Sequence, residues 1–219
     1  MSWHPVENGW RRSVDGPEAL VIVLHGYGRS GENIKARLAE PLSRAFPQAA
    51  FFAPDGFEPY EGDDHPGRQW FSRSGITPEL RLQRLQAVYP RLLRLIGQEL
   101  ELAGVAPERL VLAGFSQGAI LALHHAAVST QAHARVLVYS GRLATVPTAA
   151  APTPLTILYG TADAGSEGLS ADAAPLRAAG HPVDVHLLEG VGHDITAEGI
   201  GIGIDAIRRS LAVAEPLAG

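Results

Sequence analysis

Residues 109–123 hold the strongest pattern in this chain: Arg109-Leu110-Val111-Leu112-Ala113-Gly114-Phe115-Ser116-Gln117-Gly118-Ala119-Ile120-Leu121-Ala122-Leu123. An apolar run leads into Gly-x-Ser-x-Gly, and small and apolar residues follow it. This order of strand, tight turn and helix is the context in which Gly-x-Ser-x-Gly forms a nucleophile elbow. In such a turn the serine backbone is strained, and side chains in place of the two glycines would collide with the neighbouring strand and helix. We therefore predict an elbow at Ser116, with a plain strand-to-helix turn as the alternative.

The composition of the 219-residue chain narrows the classes of protein to which it can belong. A chain of this length is typical of one α/β domain, which we place at residues 1–219, and 46 % hydrophobic residues suffice for a large core. The net charge is −5, the sequence pI is near 6.0 and the basic residues are scattered, so nucleic acid is not expected as a partner. The absence of cysteine excludes disulfides, thiolate zinc sites and a cysteine nucleophile.

Targeting and membrane-spanning segments are not apparent in the sequence. Residues 1–7 lack the basic and apolar regions of a signal peptide. No apolar run approaches the length of a membrane span. We therefore expect a cytoplasmic protein without stable membrane insertion, either a monomer or a homodimer.

Apolar runs alternate with helical patterns along the chain. The expected strands cover residues 19–24, 49–53, the run before Gly114, 135–139, 155–159 and 183–188, with a further edge strand possible at 10–14. Helices are expected up to about residue 46, from about 78, after the elbow, at about 170–179 and from about 197. This alternation predicts a mostly parallel, doubly wound sheet, in which polar sites gather beyond the carboxyl ends of the strands.

Two helices and one loop carry unusual residues. Pro90 lies within a helical pattern and predicts a kink or a split there. Gly199, Gly201 and Gly203 predict close packing or fraying of the last helix, since each interior glycine costs about 1 kcal/mol relative to alanine. The segment 57–77 is rich in Pro, Gly and Asp but also carries aromatic residues, which favours a functional loop over disorder.

A serine nucleophile requires a base and a group that orients the base. In α/β hydrolases these residues occur in the order Ser, acid, His, and Asp163 and His193 follow Ser116 in that order. Each follows an expected strand in a glycine-bearing turn, so the three side chains should meet at one edge of the sheet. We assign Ser116, Asp163 and His193 as a candidate catalytic triad. A turn-forming role is the alternative for Asp163.

The other histidines and nearby aspartates fit these roles less well. The histidines lie in the elbow helix (His124, His125), within a strand (His186), at the opposite edge of the sheet (His133, His181) or outside the strand-end pattern (His4, His65). Asp172 falls in a helix and Asp184 at the start of a strand. Asp194 is adjacent to His193 and is expected to point elsewhere.

The loop after the first buried strand reads His25-Gly26-Tyr27-Gly28. In α/β hydrolases the N–H of the residue after His-Gly is one oxyanion donor, which places this role on Tyr27. The second donor is the N–H of Gln117, at a helix N-terminus where positive partial charge favours an oxyanion. His25 itself is expected to brace the loop.

The same loop also matches a dinucleotide-binding pattern, Gly26-x-Gly28-x-x-Gly31. No acidic residue ends the following strand before Asp55, and the elbow explains the loop better. No cluster of metal-ligating residues stands out either. We therefore expect neither a cofactor nor a metal.

Together these motifs resemble the phospholipase/carboxylesterase family of α/β hydrolases, which includes acyl-protein thioesterases. The matching segments are Leu24-His25-Gly26-Tyr27-Gly28, Pro54-Asp55-Gly56, Gly67-Arg68-Gln69-Trp70-Phe71, Gly114-Phe115-Ser116-Gln117-Gly118, Tyr159-Gly160-Thr161-Ala162-Asp163 and Gly192-His193. They extend over most of the chain, and the Gly-Phe-Ser-Gln-Gly form is more specific than Gly-x-Ser-x-Gly alone.

The resemblance implies an α/β-hydrolase fold without a large lid domain and without a cofactor. It implies hydrolysis of small-molecule carboxylic esters with short to medium acyl chains, and it assigns the same triad and oxyanion donors as the residues do. We expect Arg68, Trp70 and Phe71 to bind substrate, with packing of the loop as the alternative for Trp70. A thioesterase or lysophospholipase with the same triad remains an alternative activity, and so, less favoured, does a non-catalytic binding protein with a hydrolase fold.

Overall fold

The molecule is built on an eight-stranded sheet. The computed structural model describes residues 2–62, 66–148, 151–164 and 169–213. The strands of the main sheet are β1 (His4–Val6), β2 (Gly9–Arg12), β3 (Ala19–Leu24), β4 (Ala49–Pro54), β7 (Leu110–Phe115), β8 (Arg135–Tyr139), β9 (Leu155–Gly160) and β10 (Val183–Leu188). A second, two-stranded sheet pairs β5 (Glu58–Pro59) with β6 (Arg68–Gln69) inside the long loop.

The strand order is β1-β2-β4-β3-β7-β8-β9-β10. All pairs from β4 to β10 are parallel, and the antiparallel pairs are those that β2 makes with β1 and β4. The prediction of a mostly parallel sheet is therefore confirmed. The possible strand at 10–14 is present as β2, which starts one residue earlier and ends two residues earlier. It is not the edge strand that was predicted, because β1 pairs on its outer side and forms the edge.

Helices cover both faces of the sheet. They are α1 (Gly31–Ile34), a π-helical stretch (Lys35–Ala39), α2 (Glu40–Ala45), α3 (Pro78–Ala103), α4 (Gln117–Val128), α5 (Ala173–Ala178) and α6 (Ala197–Val213). Helix α3 is continuous through Pro90, so the predicted split is absent. Pro90 and Gln86, whose carbonyl loses its helical partner, both lie on the solvent side, where water can satisfy that carbonyl. No lid domain interrupts this architecture within the described parts of the chain.

The wholly apolar strand β3 serves two separate cores. Leu20, Ile22 and Leu24 join the core that includes α3 and α4. Val21 and Val23 join the core formed with α1, α2 and α6. Because successive side chains of a strand point to opposite faces, a strand covered on both faces has no polar position to alternate with.

Close packing explains two of the three glycines of α6. A Cβ on Gly203 would lie 2.3 Å from the hydroxyl of Tyr139, and one on Gly199 would lie 3.3 Å from Leu188. The same tyrosine hydroxyl donates a hydrogen bond to the carbonyl of Gly199 at 3.2 Å. Gly201 faces open space. The helix is thus placed against β8 at the distance that glycine permits.

In the described residues no helix is both long and apolar enough to cross a membrane.

Candidate active site

Strand β7 and helix α4 meet at Ser116 in a strained turn. The backbone of Ser116 has φ 54° and ψ −114°, a conformation that L-residues rarely adopt. A Cβ on Gly114 would lie 2.5 Å from the backbone of Gly118, and one on Gly118 would lie 2.4 Å from the carbonyl oxygen of Leu24. The two glycines are therefore required by backbone contacts on either side of the serine.

His193 and Asp163 meet at the carboxyl end of β9 and β10. His193 Nδ1 lies 2.8 Å from Asp163 Oδ2. The Asp163 side chain is almost fully buried, with 7 % exposure, whereas that of His193 is 47 % exposed. The neighbouring Asp194 turns away and pairs with Arg37. The hydrogen bond to Asp163 places the ring proton of His193 on Nδ1, which leaves Nε2 able to accept a proton.

Ser116 and His193 line the same two cavities. The larger one, of about 620 Å³, also contacts Asp163, Gln117 and Phe71. The smaller one, of about 310 Å³, extends toward Tyr27. The His193 ring lies 4.9 Å from the ring of Phe115, the residue before the serine. The three residues of the predicted triad are thus brought together at one edge of the sheet.

His25 holds the loop that follows β3. Its Nε2 accepts the N–H of Gly56 at 2.7 Å, so its Nδ1 carries the proton and donates to the carbonyl of Gly26 at 2.7 Å. Burial lowers the pKa of His25 to about 4, which keeps the ring neutral. Both ring nitrogens are engaged within the protein, as a bracing role requires.

The two predicted oxyanion donors flank Ser116. Gln117 is the first residue of α4, where backbone N–H groups have no acceptor within the helix. Tyr27 lines the smaller cavity together with the serine. Gly26 packs against Ser116, since a Cβ there would lie 3.3 Å from the serine Cβ. The glycine of the His-Gly pair thus allows the loop to approach the elbow.

The glycines that match a dinucleotide-binding pattern pack against neighbouring parts of the protein. Gly28 has a positive φ of 68°, and a Cβ there would lie 3.1 Å from the ring of Tyr60. A Cβ on Gly31 would lie 2.3 Å from the carbonyl oxygen of Ala53. The N–H of Gly31 donates to Asp55 Oδ1 at 2.7 Å. These contacts hold the loop against β4 and the turn that follows it.

The three residues expected to bind substrate lie in different places. Phe71 lines the larger cavity. Trp70 is fully buried behind it, and its Nε1 donates to the carbonyl of His25 at 2.8 Å. Arg68 donates from Nε to the carbonyl of Gly56 at 3.0 Å and lines a separate cavity near Arg91. In the described structure Phe71 alone of the three reaches the cavity beside Ser116.

A family model described as phospholipase/carboxylesterase matches residues 12–210. The chain belongs to the phospholipase/carboxylesterase family. It is also 30 % identical over 204 residues to the esterase YpfH of Escherichia coli (strain K12). The matched residues make up 91 % of this chain and 87 % of YpfH. The chain is accordingly an enzyme, a hydrolase of the esterase type.

Solved structures resemble the fold closely. The crystal structure of esterase PE8 superposes on this structure with a TM-score of 0.84 at 24 % sequence identity. The superposition covers 92 % of this chain and 98 % of the PE8 chain. The carboxylesterase of Bacillus cereus gives a TM-score of 0.71 at 18 % identity, covering 91 % and 92 %. Both likenesses support the α/β-hydrolase fold.

Three features of this esterase-family site were not predicted. The first is the side chain of Gln117, which hydrogen-bonds the backbone of the 57–77 loop.

The second is Glu61, whose Oε1 accepts hydrogen bonds from the hydroxyl of Tyr27 and the N–H of Ser74, each at 2.9 Å. Burial raises the pKa of Glu61, but hydrogen bonds from Ser72, the Arg73 N–H and Tyr27 outweigh it and bring the pKa to about 2. No sequence pattern marks such an acceptor in an irregular loop.

The third feature is a set of three arginines on the wall of the larger cavity: Arg73, Arg81 and Arg142. The number of arginines in the sequence could not reveal this set, because Arg142 is distant in the chain from Arg73 and Arg81 and the three side chains meet only in the folded protein.

A chain of hydrogen bonds lies behind the elbow helix of the enzyme. The hydroxyl of Tyr89 donates to His125 Nδ1 at 3.0 Å, and His125 Nε2 lies 2.8 Å from His133 Nε2. His133 Nδ1 donates to the carbonyl of Pro107 at 3.0 Å, so the proton between the two rings belongs to His125. Burial lowers the pKa of His125 to about 3. These histidines are neutral packing residues. The sequence predicts a packing or surface role for His125 and a position away from the site for His133.

Among the described residues, no group of three or more His, Asp or Glu is arranged to hold a metal ion.

Proposed function

We propose that the protein is a serine carboxylesterase that hydrolyses esters of short to medium acyl chains through an acyl-enzyme on Ser116. The observation that carries the proposal is the 2.8 Å contact between His193 Nδ1 and Asp163 Oδ2 at the cavity that Ser116 also lines. With Nδ1 donating to the carboxylate, Nε2 of His193 is the atom that can take the serine proton.

In the acylation step the Ser116 oxygen bonds to the ester carbonyl carbon while its proton passes to His193. The carbonyl oxygen becomes an oxyanion, which the N–H groups of Tyr27 and Gln117 stabilise. The buried carboxylate of Asp163 stabilises the imidazolium that forms. His193 then donates its proton to the alcohol oxygen as the ester C–O bond breaks, and the alcohol leaves.

In the deacylation step water replaces the alcohol. His193 takes one proton from the water as its oxygen bonds to the acyl carbon. Collapse of the second tetrahedral intermediate returns the proton to Ser116 and releases the carboxylic acid. Phe71, Ile76 and Ile120 supply apolar surface on the cavity wall, which suits an acyl chain of limited length. Trp70 supports this wall from behind, and Arg68 holds the loop.

The same triad can cleave acyl thioesters or lysophospholipids, so the substrate is tested directly. Purified enzyme is assayed on p-nitrophenyl esters of increasing acyl length, on an acyl thioester and on a lysophospholipid. We expect p-nitrophenyl esters of short to medium chains to give the highest kcat/KM.

A matched pair of variants tests the assignment of the nucleophile. Ser116→Ala should lose esterase activity, whereas Ser140→Ala, which removes another hydroxyl from the same cavity, should retain it. Equal activity of Ser116→Ala and the wild type would refute the proposal. A preference for the thioester would replace the proposed substrate and leave the mechanism in place.

A further inference from the structure

The cavity beside Ser116 has a basic wall in an acidic protein. The net charge of the chain is −5, yet Arg73, Arg81 and Arg142 all line this cavity. They come from the 57–77 loop, from α3 and from the turn after β8. Among the described residues of the wall, Asp163 is the one carboxylate, and it already accepts a hydrogen bond from His193. The wall therefore carries an excess of positive charge next to the serine.

Of the three arginines, Arg81 has the electrostatically least favourable position. Its side chain is partly buried on α3, and burial lowers its pKa, as do the nearby charges of Arg142 and Arg73. The ion pairs recorded among the described residues include neither Arg81 nor Arg73. A partly desolvated guanidinium beside like charges is unfavourable until an anion neutralises it.

Contacts also hold the Arg73 side chain and the turn that carries Arg142 at the cavity. The guanidinium of Arg73 lies 4.9 Å from the ring centre of Tyr27, in a cation–π contact. The turn that carries Arg142 is tied down by Asp172, whose Oδ2 accepts the N–H of Leu143 at 2.7 Å. Arg142 also lies near the Asp172 carboxyl, and its charge acts to lower the pKa of that group, which burial raises overall. The basic wall is thus held by packing and hydrogen bonds before any substrate arrives.

We propose that the preferred substrates are esters that carry a second, anionic group, a carboxylate or a phosphate, and that this group binds between Arg73, Arg81 and Arg142. The proposal rests on the proposed esterase function and names its substrate class. Guanidinium groups bind carboxylate and phosphate oxygens through paired N–H donors, and such charge-assisted bonds are strong at partly desolvated sites. The cavity of about 620 Å³ has room for an acyl chain together with this group.

The test compares two esters that differ only in the terminal group of the acyl chain. Mono-p-nitrophenyl adipate carries a carboxylate where p-nitrophenyl hexanoate carries a terminal methyl group. We expect the wild type to give a higher kcat/KM on the adipate ester, and we expect added salt to reduce this preference because it screens the charges. Arg81→Gln should lower the ratio of the two kcat/KM values about 10- to 100-fold, as the loss of charge-assisted hydrogen bonds predicts.

Arg94→Gln is the matched control. It removes the same charge from the same helix, but Arg94 lies at a different cavity. We expect it to keep the wild-type ratio, so that a change in net charge alone cannot account for the effect of Arg81→Gln. A wild-type enzyme that prefers the uncharged ester both in this pair and in the glycerol pair described next would overturn the proposal while leaving the esterase function intact. Equal losses on both esters in Arg81→Gln would also overturn it, since they would indicate a structural role. A wild-type enzyme that hydrolyses neither ester would instead count against the proposed function.

A second pair of substrates separates the two sources of negative charge. Monohexanoylglycerol is compared with the same ester bearing a phosphate on the glycerol. If the phosphate raises kcat/KM and the adipate carboxylate does not, the anionic group belongs to the alcohol portion of the substrate. The reverse result assigns it to the acyl portion. No gain from either group refutes the proposal.

Discussion

The side-chain Oε1 of Gln117 accepts a hydrogen bond from the backbone N–H of Trp70 at 2.9 Å, across 47 positions in the chain. The same side chain donates from Nε2 to the carbonyl of Phe71 at 2.7 Å. Gln117 is only 2 % exposed. The residue directly after the serine therefore ties the elbow to the loop that forms the cavity wall.

Replacing Gln117 by leucine should destabilise the enzyme and reduce its activity. The change leaves two buried backbone groups without partners, each at a cost of about 1–3 kcal/mol, so we expect the free energy of unfolding to fall by about 2–6 kcal/mol. Urea denaturation measures this loss. Gln83→Leu, on the exposed side of α3, is the control and should change stability by no more than about 0.5 kcal/mol. An unaltered unfolding midpoint in Gln117→Leu would contradict the bridging role.

Two glycines of α6 should respond to alanine with opposite signs. Gly201→Ala places its methyl group in open space and should stabilise the helix by about 0.5–1 kcal/mol. Gly203→Ala places a Cβ against the buried Tyr139 hydroxyl and should destabilise by about 1–3 kcal/mol. Thermal unfolding of both variants tests the difference. Since the clash is with the hydroxyl, Tyr139→Phe in the Gly203→Ala background should recover stability, and failure to do so would place the strain elsewhere.

Asp163→Asn should reduce kcat far more than it changes KM. An amide in this position favours the wrong tautomer of His193 and cannot stabilise the imidazolium, which in serine hydrolases costs about 10³–10⁴-fold in kcat. Steady-state kinetics on a p-nitrophenyl ester measures the effect. Asp205→Asn, a change at an exposed position on α6, serves as the comparison and should behave as wild type. A loss of kcat of less than tenfold in Asp163→Asn, which is less than about 1.4 kcal/mol in activation free energy, would argue against Asp163 as the acid of the triad.

Stability should fall as the pH drops below about 6.5. Burial lowers the pKa of His25 and His124 to about 4 and that of His125 to about 3, against an ordinary value of about 6.5. In this range the unfolded chain binds protons that the folded protein does not. The stabilisation by each neutral ring is therefore complete above about pH 6.5 and is lost as the pH falls to the folded pKa, about 4 for His25 and His124 and about 3 for His125. Within that range the slope approaches 1.4 kcal/mol per pH unit for each ring.

Urea unfolding at a series of pH values measures that slope. His124→Asn removes one of the linked protons, so its slope should be smaller than that of the wild type by up to about 1.4 kcal/mol per pH unit. Identical slopes for the two proteins would contradict the assignment of His124 as a buried neutral ring.

The parts of the fold that could be predicted are those decided by local pattern. The strands at 19–24, 135–139 and 183–188 have the predicted bounds. The first is an uninterrupted apolar run, which admits few alternatives, and in the third Asp184 and His186 alternate with apolar residues, as in a strand covered on one face. The split predicted at Pro90 is absent because the proline lies on the solvent face of a long helix. Water can there bond the carbonyl of Gln86, which the proline leaves without a helical partner. The β1–β2 pair was only partly foreseen, since short polar edge strands lack an apolar signature.

The site divides in the same way. That Ser116, Asp163 and His193 meet at one edge of the sheet could be predicted, because each follows a strand in a mostly parallel sheet, whose strand ends share that edge. Trp70 and Phe71 are adjacent in sequence, yet one lies in the core and the other on the cavity wall. That difference depends on the path of an irregular loop, which residue types do not determine. The arginine wall likewise depends on the folded structure, which brings Arg142 beside Arg73 and Arg81.

Covalent labelling tests the central assignment most directly. The enzyme is treated with a fluorophosphonate, and the modified residue is located by mass spectrometry of its peptides, with Ser140→Ala as a control for the other serine on the cavity wall. The account predicts one adduct, on Ser116, that persists in Ser140→Ala and is absent from Ser116→Ala. An unlabelled Ser116 in an enzyme that hydrolyses p-nitrophenyl esters would contradict it.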